Sequence, residues 1–221
     1  MFDRRDSRPR RCRGDSGAAM VEGAIVAIPF FLLVFGAVEY GFMFKDYLTV
    51  ANAARAGARA ASIHGDDQDA DFWIVHSVDE GATALHRENI RRIVVFRSVD
   101  GSGKPSPKGS VPAACLSGFN GVSGVCNVYT PNDFLLQDSE YDCGGPGIAR
   151  DTSWCPTTRW AYVNNCSSTN KGPDYVGVYI EYRYQYVTGL FSGGSKYKTL
   201  RDTSVLPLEP KGLNKPAAKC P

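Results

Sequence analysis

The sequence has no Cys-x-x-Cys pair, no His-Glu-x-x-His, no Gly-x-Ser-x-Gly elbow and no phosphate-binding Gly-rich loop. The first absence argues against disulfide exchange. It also argues against a zinc site, because the three histidines (His64, His76, His86) all lie upstream of the main cysteine cluster. The other absences leave metallopeptidase, esterase-type and nucleotide-phosphate chemistry without their residues. Acidic residues are scattered, with no pair spaced for acid–base work. The chain therefore reads as a non-enzyme with no catalytic residue, no metal ligand set and no cofactor. A net charge of +2 supplies no basic field, so nucleic acid is not an expected partner.

Charge is also scarce locally. From Ala18 to Phe44 only Glu22 and Glu39 carry it. At about 1.5 Å per residue this stretch makes a helix of roughly 40 Å, enough to cross a ~30 Å hydrocarbon core. Residues 1–17 hold six Arg against three Asp, which makes them a basic leader and keeps them on the cytoplasmic side. The remainder of the chain is then expected on the far side. The cysteines agree with that orientation. Cys12 lies in the leader, whereas Cys115, Cys126, Cys143, Cys155, Cys166 and Cys220 lie beyond the apolar run. An even set in an oxidising compartment reads as up to three disulfides, with 15 possible pairings that spacing does not decide.

Three processing fates are open. A signal peptide cut near Ala51-Asn52-Ala53 has too long an apolar region before it. An uncleaved signal anchor is the second fate. The third is a cytoplasmic cut after Gly17, which makes Ala18 the first residue and Glu22 the fifth. A cut after Gly with Glu at the fifth mature position, followed by apolar residues, is the type IV prepilin pattern. Glu22 also suits a helix N-terminus electrostatically, which is the plainer reading of it.

The run Met20-Val21-Glu22-Gly23-Ala24-Ile25-Val26-Ala27-Ile28-Pro29, the Phe/Leu stretch after it and Gly36-Ala37-Val38-Glu39-Tyr40-Gly41 resemble a TadE-like minor pilin of the tight-adherence (Tad, or Flp) pilus machinery. Ala51-Asn52-Ala53-Ala54-Arg55-Ala56-Gly57-Ala58-Arg59-Ala60-Ala61 is similar to the Ala-Arg-rich segment that follows the membrane helix in that family. Gly23, where a bulkier residue is usual, and Ala56, in place of an acid, depart from the pattern. The resemblance covers residues 17–61. It implies a single-pass protein of a bacterial cell membrane, N-terminus cytoplasmic. It also implies cleavage by a prepilin peptidase between Gly17 and Ala18, with Glu22 paired to a neighbouring subunit's N-terminal amine. The implied partners are membrane lipid, other pilins and minor pilins, and pilus assembly platform proteins.

Pro29 lies inside the apolar run, where a membrane tolerates the kink expected of it. From Lys45 to Ser62 an Ala-rich sequence continues the helix, with Arg55 and Arg59 on one face. A second helix is expected from Asp69 to about Glu88, because Phe72, Val75, Val78, Ala82 and Leu85 recur at helical intervals. Ile90 to Val99 reads as a strand closed by Asp100-Gly101.

Residues 100–174 form a Gly-, Pro- and Ser-rich insertion holding five of the outer cysteines. Its Trp154, Trp160 and Tyr162 are read as packing residues rather than an exposed patch. Tyr175 to Val187 alternates strictly, with Val176, Val178, Ile180, Tyr182, Tyr184 and Tyr186 on one face, as in a half-buried antiparallel strand. A turn over 189–195 and a strand over about 198–206 follow, then a tail from 209. The expected fold is α+β. It has a long membrane-spanning helix (18–44), a helical extension, second helix and first strand (45–99), the insertion (100–174) and antiparallel strands (175–208). The function expected is that of a structural minor pilin. A signal-anchored, disulfide-stapled binding or adhesion domain outside any pilus is the alternative.

Overall fold

A computed structural model describes residues 15–141, 143, 150–159 and 173–209. Expectations for most of the leader with Cys12, and for Trp160, Tyr162, Cys166, Cys220 and the tail beyond 209, fall outside the described residues. The fold is α+β. A single helix, α1 (Asp15–His64), carries the chain from the apolar run into the folded domain without interruption. It runs unbroken through Pro29, which removes one backbone donor in a stretch otherwise made of helix-compatible apolar residues. The second half of α1 is built for close packing. Val50, Ala53, Ala54, Ala58 and Ala61 are fully buried, while Arg55 and Arg59 point to solvent on the opposite side. Gly57 completes that face, since a Cβ there would collide with Val78 and crowd Val178.

The residues that Gly57 admits belong to the two elements crossing α1. One is α2 (Ala70–Gly81), which buries Ile74, Val75 and Val78 at helical spacing. It ends seven residues before the expected Glu88. Gly is about 1 kcal/mol less helical than Ala, and after Gly81 the Ala82 amide closes the helix onto Val78 and Asp79. Ala82 and Leu85 still reach the core through a turn, so the apolar period outlasts the helix that it implied.

The sheet is antiparallel with strand order β2-β1-β3-β4, comprising β1 (Ile90–Arg97), β2 (Cys126–Tyr129), β3 (Tyr175–Gln185) and β4 (Tyr197–Pro207). Its first face packs on the two helices through Ile93, Val95, Val176, Val178, Ile180, Tyr182 and Tyr184. The second face is not open to water along its whole length, as a half-buried strand would leave it. Val94, Phe96 and Tyr179 are covered by the insertion, whose Cys115–Cys126 disulfide lies in the same cluster. A second disulfide joins Cys143 to Cys155. Each closes a loop of about a dozen residues, worth about 3 kcal/mol by loop-closure entropy. Trp154 is buried among core residues.

Candidate functional site

The apolar run divides sharply. Between residues 17 and 35 every side chain but Ala27 is exposed, and the first buried position is Gly36. Ile25 is 67% exposed and Leu33 75%. Leaving such side chains in water forfeits about 1.5–3 kcal/mol each, so this half of α1 is a surface that something apolar must cover. The helix is long and apolar enough to cross a membrane.

Gly17 and Ala18, the expected cut site, lie in the first turn of α1 and are exposed. The first four amides of a helix have no intrahelical partner, so this is the turn that opens most cheaply. Glu22 stands on the next turn, exposed, and makes no hydrogen bond or ion pair among the described residues.

The other carboxylate of the apolar run is treated in the opposite way. Glu39 is 1% exposed and is enclosed by the turn that joins β3 to β4. Its Oε1 accepts from the Tyr184 hydroxyl at 2.8 Å and the Val187 amide at 2.9 Å. Its Oε2 accepts from the Thr188 amide and Thr188 Oγ1, both at 2.7 Å. A buried carboxylate is tolerated when its lone pairs are filled in this way. Beside it Phe191 lies across Gly36, where a Cβ would stand 3.0 Å from the ring, and pairs with Tyr40 at 6.3 Å between ring centroids. The domain thus grips the helix from Gly36 upward and leaves it bare below. Sequence reasoning found Glu39 as a charge in an apolar run and as part of the Gly36–Gly41 motif, with no partner or role assigned to it. The signal for its role was the uncharged Tyr-Val-Thr-Gly turn 150 residues later, and no local pattern connects the two.

A second buried ionic group locks the insertion to the domain. Asp71 on α2 and Arg159 form a two-pronged pair at 2.7 and 2.9 Å, both side chains fully buried. Tyr129 donates to Asp71 at 2.6 Å and Asn127 at 2.7 Å. Asn127 also exchanges hydrogen bonds with the Trp154 backbone, and the Arg159 guanidinium lies 4.2 Å from the Trp154 ring centroid. Burial, and next the Asp71 charge, push the Tyr129 phenol well above its usual range. This cluster is sealed from solvent and serves to hold the fold together.

No group of three or more metal-binding side chains occurs among the described residues. His64 pairs with Asp67, and His86 with Glu88, both on the surface. An open hollow of about 520 Å³ where the domain meets α1 is lined by Lys45, Asp46, His86, Tyr182 and Tyr184 among others. There Asp46 is held by Lys45 at 3.6 Å and by the Tyr182 hydroxyl at 3.2 Å, and no nucleophile with a base beside it faces the space. Burial, with Asp46 second, raises the Tyr182 phenol to about 12, so it stays a hydrogen-bond donor at neutral pH.

Residues 17–59 match the family model described as TadE-like protein. No curated protein and no solved structure matches the chain. The matched segment covers the exposed apolar run, Glu22, Glu39 and the first part of the packed half of α1. Over that segment the chain is similar to TadE-like proteins.

Proposed function

We propose that the protein is a minor pilin, or pseudopilin, taking part in assembly of a tight-adherence pilus or a related secretion apparatus. A prepilin peptidase cuts after Gly17 and removes the basic leader. The helix stays in the bacterial cell membrane, with its N-terminus cytoplasmic and the folded domain outside, until the assembly platform withdraws it. Its bare apolar surface then packs against the helices of other pilins. Glu22 pairs with the new α-amino group of a neighbouring subunit and sets the register, which is the best-attested use of a buried ionic group. The role is structural, not catalytic.

The observation that carries this reading is an exposed apolar half-helix together with a carboxylate, Glu22, near the Gly17–Ala18 bond that has no partner among the described residues. A helix meant only to anchor the domain gains from a carboxylate there only through the helix N-terminal dipole, whereas an assembling helix can also pair it with a neighbouring subunit's amine.

Glu22→Ala, made in the native host, tests the reading. The variant protein is expected in the membrane at the normal level, with its disulfides formed, while pilus assembly is lost. Normal pili from that variant would instead favour a signal-anchored binding or adhesion domain outside the pilus.

A further inference from the structure

The β3–β4 turn is uncharged and exposes apolar side chains beside α1. Residues 184–195 (Tyr-Gln-Tyr-Val-Thr-Gly-Leu-Phe-Ser-Gly-Gly-Ser) contain no charged side chain. Val187 is 68% exposed and Leu190 58%, with Phe191 partly exposed against Gly36. Gly189, Gly193 and Gly194 adopt positive φ (69°, 58° and 86°), which folds the turn tightly. The bonds from Val187 and Thr188 to Glu39 pin this turn to one level of α1.

That level follows from the helix rise. Counting about 1.5 Å per residue from Ala18, Gly36 stands roughly 27 Å along α1 and Glu39 roughly 32 Å. A hydrocarbon core is ~30 Å thick, so the turn meets the helix where the core ends. Around it stand groups typical of such a boundary: Tyr40, Tyr186 and Tyr197, with the exposed Lys45, Lys196 and Lys198 beside and beyond them.

We propose that the β3–β4 turn is a second membrane contact. Val187, Leu190 and Phe191 enter the headgroup–acyl boundary of the outer leaflet beside α1, and the surrounding tyrosines and lysines lie at headgroup level. The domain is thereby held against the bilayer by two points, with the Glu39 carboxylate as the pin between them. This inference rests on the membrane reading of α1. It adds that withdrawal of the subunit must lift the turn out of the lipid together with the helix.

The test places the full chain in phosphatidylethanolamine–phosphatidylglycerol vesicles, with bromine carried on the acyl chains either near the glycerol or near the chain end. Three variants, Leu190→Trp, Phe31→Trp and Leu135→Trp, are compared after subtraction of the native tryptophan emission. Leu135 is 76% exposed on the insertion and serves as the water-facing control. The expected result is that the added emission of Leu190→Trp is blue-shifted and largely lost to bromine near the glycerol. Phe31→Trp is expected to be quenched by bromine near the chain end, and Leu135→Trp by neither lipid. Quenching of Phe31→Trp with Leu190→Trp as bright and red as Leu135→Trp would overturn the second contact and leave the membrane helix standing. No quenching of Phe31→Trp would remove the membrane reading itself, and the proposal with it.

Discussion

Asp71→Ala is expected to destabilise the folded domain by about 3–5 kcal/mol, the usual cost of removing one partner from a buried ion pair. The loss is large because the carboxylate is shared. Without it the fully buried Arg159 guanidinium keeps its charge and loses its counter-ion, while the Tyr129 hydroxyl and one Asn127 donor lose their acceptor. These four side chains come from α2, from β2 within the insertion and from the later part of the insertion, so one substitution loosens the contacts among all three. Urea unfolding of the solubilised chain with its disulfides intact measures the effect. Exchange of the amides in β2 and at Trp154 should quicken first, since the Trp154 backbone bonds to Asn127. An Asp71→Ala domain within about 1 kcal/mol of the parent would mean that water replaces the carboxylate, and the cluster would not be the lock described.

The second large effect is local. Glu39→Ala takes the acceptor from two amides and two hydroxyls at once. Donors left without partners cost about 1–3 kcal/mol each when they stay buried, but here the turn can peel away into water. The expected outcome is therefore detachment of the β3–β4 turn at a cost of about 3 kcal/mol, with the remainder of the sheet intact. Hydrogen exchange at Val187 and Thr188 should accelerate by about a hundredfold, while β1 amides keep their protection, because every 1.4 kcal/mol is a factor of ten. Glu39→Gln preserves the volume yet turns an NH₂ group towards a donor, so it should lie between parent and Ala. Unchanged exchange at Val187 and Thr188 in Glu39→Ala would show that Phe191 on Gly36 is sufficient to hold the turn.

What the amino-acid order makes legible is whatever local periodicity encodes. The length of α1, the inward face of β3 and the strand at Ile90 each follow from runs of residues whose spacing matches one backbone geometry. Features made by long-range contact are not legible in this way. β2 is four residues long and includes a buried Asn, so it carries no strand signal of its own, and its place is set by pairing with β1. The cover over the second face of the sheet comes from an aperiodic segment, visible beforehand only as a cluster of cysteines. α2 ends before its apolar period does, because Ala82 and Leu85 are core residues outside any helix.

The two carboxylates of the apolar run show the same division. The position of Glu22 after a Gly–Ala bond is a sequence feature, and its exposure agrees with a group awaiting a partner. Glu39 looks equally anomalous in sequence, but its partners lie some 150 positions away, and only folding brings them to it.

The central claim concerns the Gly17–Ala18 bond. It is tested most directly by the N-terminal sequence and intact mass of the protein taken from its native membrane. The account predicts a chain that begins at Ala18, its mass lower by residues 1–17 and by two hydrogens for each disulfide. A chain that begins at Met1 would contradict prepilin processing and leave an anchored domain. One that begins at Ala54 would remove the membrane helix from the mature protein altogether.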